Sequence, residues 1–157
     1  MSNTGAGGRQ LETTLADELA IRDLVCRYAD AVNRRDRQLW GSTWAEQGEW
    51  LIGGQVIAGR EAICGYWEHA MSSFEGVIQL IAQGTLSVSA EQAEGLWTIW
   101  EVGLRGGTGS LVVGSYADRY SKDDSGWSFA RRAFTVCYRG ELPAGNFSSF
   151  PPITGPA

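Results

Sequence analysis

The chain has 157 residues, a formal net charge of −5, and 43% hydrophobic against 20% charged residues, which is the mass of one domain and the balance of an ordinary globular protein. That balance excludes a disordered chain, and no apolar run approaches the roughly 18 residues of a membrane helix. The charge also has the wrong sign for the phosphate neutralisation that drives nucleic-acid binding, so neither nucleic acid nor a membrane is an expected partner.

Residues 1–13 open with small and polar side chains and lack the basic start and long apolar run of a secretory signal; they read as a disordered tail. From Thr14 the pattern is helical, with Ile21, Leu24, Val25, Tyr28 and Val32 at three- and four-residue spacing. Arg34, Arg35 and Arg37 follow, where cations suit the negative end of the helix dipole. A second short helix carries Leu39, Trp40 and Trp44, and a third runs from about Arg60 to Met71. Between them, Glu49 to Ala58 reads as two strands joined by Gly53-Gly54, a pair able to take the positive φ angles of a tight hairpin.

Four longer strand-like runs follow, near 76–88, 93–104, 110–121 and 126–139, separated by turns short enough to make neighbours antiparallel. Residues 141–157 have turn composition and read as an extension of the 14–140 domain. Three helices ahead of an antiparallel meander imply an α+β fold, a curved sheet whose concave side the helices cover, leaving an apolar pocket between the layers. Seven tryptophans supply rigid walls for it, with Trp44 and Trp50 expected among the lining residues.

The single histidine, His69, leaves little for a zinc site, and Arg105-Gly-Gly-Thr-Gly109 lacks the strand-to-helix context of a phosphate loop, so neither a metal nor a cofactor is expected. Cys26, Cys64 and Cys137 are odd in number, far apart and inside apolar segments, the pattern of reduced buried thiols in a cytoplasmic protein. Glu101 alternates with Trp97 and Ile99, so it faces inward if they do; an apolar setting raises a carboxyl pKa and makes a proton carrier near neutrality. Tyr28 and Tyr116 could each polarise a carbonyl or protonate a leaving group, or could simply be buried with satisfied hydroxyls.

Leu15-Ala-Asp-Glu-Leu-Ala-Ile-Arg-Asp-Leu24, Tyr28-Ala-Asp-Ala-Val-Asn-Arg-Arg-Asp36 and Gly126-Trp-Ser-Phe-Ala-Arg-Arg132, in this element order, resemble the SnoaL-like branch of the nuclear-transport-factor-two-like superfamily, which includes scytalone dehydratase and hexachlorocyclohexane dehydrochlorinase. The resemblance spans about Leu15 to Arg139 and implies a cone-shaped fold with a deep apolar pocket, and often a homo-oligomer such as a dimer or trimer. It also implies a proton-transferring Asp on the first helix and His on the first long strand. Those positions match Asn33 and Gln79 here, and no histidine occurs between Val77 and Val88. A carboxamide can orient a ligand but cannot carry a proton in the physiological range.

The family's arginine on the last strand matches Arg132. If Ala130, Arg132, Phe134 and Val136 share one face, Arg132 enters the pocket and holds an oxyanion or carboxylate; the alternatives are that Arg131 points inward or that Arg132 pairs with an internal carboxylate. Two functions follow. One is a cofactor-independent lyase, isomerase or cyclase acting on a small apolar cyclic or aromatic compound, with Arg132, Glu101 and Tyr28 catalytic and Asn33, Gln79, Gln83, Trp44, Trp50, Tyr116 and Phe134 binding substrate. The other is a non-catalytic binding protein of the same fold. In that second case Asn33 and Gln79 serve recognition alone.

Overall fold

The computed structural model describes residues 4–82 and 84–150, those of 4–13 as backbone only. Helices α1 (Thr4–Arg34), α2 (Arg37–Ser42) and α3 (Arg60–Ser72) accompany strands β1 (Trp44–Ile52), β2 (Gln55–Ala58), β3 (Gly76–Ile81), β4 (Thr85–Val88), β5 (Gln92–Arg105), β6 (Thr108–Asp123) and β7 (Gly126–Leu142). The strands form one sheet in the order β2-β1-β7-β6-β5-β3, with β4 also on β5. All neighbours are antiparallel except β1 and β7, which run parallel. The helices cover its inner face, as their apolar stripes require.

Helix α1 buries Ile21, Leu24, Val25, Tyr28, Ala31 and Val32, the stripe read from the spacing plus one alanine. It starts at Thr4 rather than Thr14, correcting the expectation of a tail for residues 4–13; extending a nucleated helix costs far less than starting one. Its C-terminal end closes through Asp36 N–H to the Ala31 carbonyl at 2.9 Å and Arg35 N–H to the Val32 carbonyl at 3.1 Å. This doubly bonded turn forces Arg35 to a left-handed φ of 56°, and its guanidinium holds the Phe74 carbonyl at 2.7 Å. Asp36 then caps α2, its side chain accepting from Leu39 N–H at 2.9 Å.

Further along α1, Asp17 accepts from Lys122 Nζ at 2.7 Å and Trp127 Nε1 at 2.9 Å, fastening the helix to β6 and β7. The core behind it is aromatic. Trp40 stacks on Trp67 with centroids 4.8 Å apart, and Tyr28 packs edge-on to Trp44, Tyr116 and Phe129.

Two expectations needed correction here. Trp44 opens β1 instead of ending the second helix, and the run 76–88 is two strands, each on β5. Of the cysteines only Cys64 is buried; Cys26 and Cys137 are exposed free thiols. Cys26 lies off the α1 stripe and Cys137 in a bulge of β7, neither of which an apolar sequence neighbourhood discloses. No helix among the described residues is long and apolar enough to cross a membrane.

Candidate functional site

Between α1, α3, the β1–β2 turn and the inner face of β5, β6 and β7 lies a cavity of about 460 Å³, within the usual range for small-ligand pockets. Its closed end is made by the buried residues Tyr28, Trp50, Gln79 and Tyr116, with Trp67 and Met71 from α3. Glu101 and Phe134 are half-buried in its wall, and Arg105 and Arg139 are exposed at its rim. Gly53 and Gly54, at φ 59° and 78°, form the tight turn that brings backbone to the opening.

The polar groups of the wall follow from strand register. Gln79 on β3 sits opposite Glu101 on β5, Glu101 opposite Val112 on β6, and Val112 opposite Arg139 on β7, so one cross-strand row runs along the inner face. Gln79 Nε2 donates to Glu101 Oε2 at 3.1 Å and to the Tyr116 hydroxyl at 3.2 Å. Two buried polar atoms of the lining, Gln79 Oε1 and Trp50 Nε1, have no protein partner. Burial raises the Glu101 carboxyl above its ordinary value, against the opposing pull of Gln79, Arg105 and Arg139. Burial also raises Tyr116 well above the normal phenol range, and Tyr28 in the same direction, so both hydroxyls stay protonated.

Arg132 is not part of this cavity. It faces inward, but directly opposite Asp118 on β6, and the two make a fork-to-fork pair with Nε to Oδ1 at 2.8 Å and Nη2 to Oδ2 at 2.7 Å. Both side chains are 0% exposed. The guanidinium lies 4.0–4.2 Å from the Tyr28, Tyr116 and Phe129 ring centroids. Burial opposes its charge, yet the Asp118 carboxylate outweighs this and raises its pKa. Asp118 also accepts from the Tyr120 hydroxyl, which accepts from Trp97 Nε1, both at 2.7 Å. This chain braces the floor beneath the cavity, so Arg132 takes the internal-carboxylate alternative and does not itself line the cavity. Arg131 lies on the outer face near Glu49.

Asn33 is also removed from the ligand set. Its amide donates to the Gln79 carbonyl at 3.0 Å and accepts the Gln79 backbone N–H at 2.6 Å, clamping α1 to β3, and it lines grooves outside the cavity. Trp44 is 0% exposed and packs in the aromatic core, away from the cavity lining. Gln83 lies outside the described residues. Tyr28, Trp50, Gln79, Glu101, Tyr116 and Phe134 do come together.

Three charged residues escaped sequence reasoning: Asp118, Arg105 and Arg139. The first two were signalled by parity, since Asp118 alternates with Tyr116 and Tyr120, and Arg105 with Glu101. Arg139 was not. β7 carries bulges beside Ala130 and Cys137, and each extra residue reverses the alternation, placing Phe129 rather than Ala130 on the inner face and turning Arg139 inward with Tyr138 outward.

An open, curved mixed sheet wrapped around helices, with an aromatic-walled cavity between the layers, defines the cone fold of nuclear-transport-factor-two-like proteins. Residues 13–133 match the SnoaL-like domain, and the chain belongs to that family. A type 2 hexachlorocyclohexane dehydrochlorinase (LinA) is 23% identical with a TM-score of 0.78, over 89% of this chain and 97% of that one. Another LinA structure is 26% identical with a TM-score of 0.78, over 88% and 96%. A scytalone dehydratase candidate from Novosphingobium aromaticivorans superposes with a TM-score of 0.77 at 16% identity, over 94% and 99%. No curated protein sequence matches.

Proposed function

We propose that the chain is a cofactor-independent lyase or isomerase that acts on a small, largely apolar cyclic compound in the 460 Å³ cavity, with Glu101 moving the proton. The supporting observation is the placement of Glu101: a carboxyl group desolvated in an aromatic-walled cavity, held at 3.1 Å by Gln79, whose amide also holds the Tyr116 hydroxyl at 3.2 Å. A carboxylate of raised pKa is a stronger base than an exposed one, and the protonated Tyr116 hydroxyl beside it can stabilise a departing group by hydrogen bonding. In an elimination, Glu101 would take a C–H proton, the C–H electron pair would become the new double bond, and the bond to the departing group would break with that group keeping its electron pair, its growing negative charge accepting a hydrogen bond from the Tyr116 hydroxyl, which keeps its proton. Tyr28 would line the same closed end and fix the ring. The dehydrochlorinase and dehydratase names of the structural relatives agree with this class of reaction.

A second reading, non-catalytic binding, draws on Gln79 standing where a proton-carrying histidine is implied by the family resemblance. The two separate in one experiment. Purified wild type and Glu101→Gln are incubated with a panel of hydroxylated, halogenated and carbonyl-bearing cyclic compounds, and products are followed by chromatographic retention together with mass, so that isomers are also seen. Turnover that falls at least about 100-fold in the variant supports the enzyme. Equal turnover in both proteins removes Glu101 from the chemistry, and saturable binding with no product of either changed or unchanged mass establishes the binding protein.

A further inference from the structure

The charge at the cavity rim is opposite to that of the molecule. The chain carries −5 overall, yet the charged residues lining the cavity are one carboxylate, Glu101, and two guanidiniums, Arg105 and Arg139. Neither guanidinium is in a salt bridge among the described residues. Both are exposed at the rim, and with two cations to the one carboxylate of the lining the cavity carries an excess of positive charge that attracts an anionic ligand group.

The two are placed by different devices. Arg105 lies four residues beyond Glu101 on the same face of β5. Gly103 between them has no side chain, and the space a Cβ would need is filled by the Phe74 ring, 2.6 Å from that position. The Arg105 guanidinium stacks on that ring at 3.6 Å, fixing the plane of its donors. Arg139 reaches the cavity only because the Cys137 bulge turns it inward. Below the rim, Trp50 Nε1 is a second unfilled donor and Gln79 Oε1 an unfilled acceptor, while the remaining wall is apolar and aromatic.

We propose that Arg105 and Arg139 form an anion-recognising rim, and that the ligand of this cavity is a ring compound carrying one anionic oxygen group, a carboxylate or a phenolate, outside its apolar body. The proposal rests on the reading that this cavity is the ligand site, and it names the substrate class. The rim holds the anionic oxygens with charge-assisted bonds, the ring fills the aromatic end, and Glu101 meets the carbon framework between them.

The test uses 1-naphthoate and its neutral analogue 1-naphthalenemethanol as probes, titrated calorimetrically into wild type, Arg105→Gln, Arg139→Gln and Arg139→Lys. Naphthoate should bind wild type at least about tenfold more tightly than the alcohol, which is one 1.4 kcal/mol step. Each glutamine variant should remove most of that preference while leaving alcohol affinity unchanged. Arg139→Lys should restore part of it, and raising salt should weaken naphthoate alone. Both arginines are exposed, so the Arg139 variants should keep the wild-type melting temperature and Arg105→Gln should lose only what its stack on Phe74 contributes. Equal binding of the two probes to wild type, or a preference that survives both glutamine variants, would overturn the anionic rim and leave the ligand site standing. Absence of saturable binding by either probe would overturn both, and turnover of uncharged compounds only would overturn the rim while upholding the enzyme.

Discussion

The buried Arg132–Asp118 pair offers the most severe test of the structural reasoning. Asp118→Ala would strand a guanidinium that is 0% exposed, whose Nη1 has no hydrogen-bond partner and whose remaining neighbours are aromatic rings. It would also remove the acceptor of the Tyr120 hydroxyl. Removing one member of a buried ion pair costs about 3–5 kcal/mol, and the lost Tyr120 bond adds about 1 kcal/mol. At about 2–4 °C per kcal/mol for a domain of this size, the melting temperature should fall by about 8–24 °C. Asp118→Leu/Arg132→Met removes both charges and fills similar volume, so it should recover most of the loss, because the penalty lies in the uncompensated charge. Urea unfolding of wild type and both variants measures this directly. A loss under about 1 kcal/mol in Asp118→Ala would refute the buried pair, and a double variant as unstable as the single would refute the desolvation argument.

Glu101 is raised by burial, so folding favours its protonated form. The sign is therefore a cost to stability that is absent below the unfolded value near 4.5 and fully present above the folded one; Glu101→Gln should be more stable than wild type at pH 7, with the gap closing as pH falls toward 4, as urea titrations would show. Asp17 has the opposite sign. Lys122 and Trp127 lower its pKa by hydrogen bonding, so its contribution is present above 3.8 and lost as pH falls through the folded value; Asp17→Asn should cost about 1 kcal/mol at pH 7 and almost nothing at the acid end of the same titration. Asn33→Asp keeps the acceptor for the Gln79 N–H but sets a carboxylate against the Gln79 carbonyl. A loss of about 1–3 kcal/mol in urea unfolding is expected, and unchanged stability would show that the α1–β3 clamp contributes little.

The helix stripe, the Gly53-Gly54 turn and the three hairpin-linked runs that form β5, β6 and β7 were legible because each is local: period, turn chemistry and loop length act within a few residues. Inward placement of Glu101, Tyr116 and Phe134 was legible for the same reason, since strand parity holds along an unbroken ladder. What the sequence could not supply was pairing and interruption. Whether Arg132 meets a ligand or a carboxylate depends on which β6 residue lies opposite, and that is set by register across a turn. Whether Arg139 or Tyr138 faces the cavity depends on a bulge whose extra residue carries no composition signal. Asn33 was read as a ligand contact because its position matches the acidic residue that the family resemblance implies on the first helix, yet its partner is the backbone of a strand 46 residues away. The family, the layers and the apolar character of the cavity could be read along the chain, because burial patterns are written residue by residue. Which buried charges cancel and which are left to face the cavity emerged with the folded sheet, because electrostatic pairing depends on distances between strands far apart in the chain.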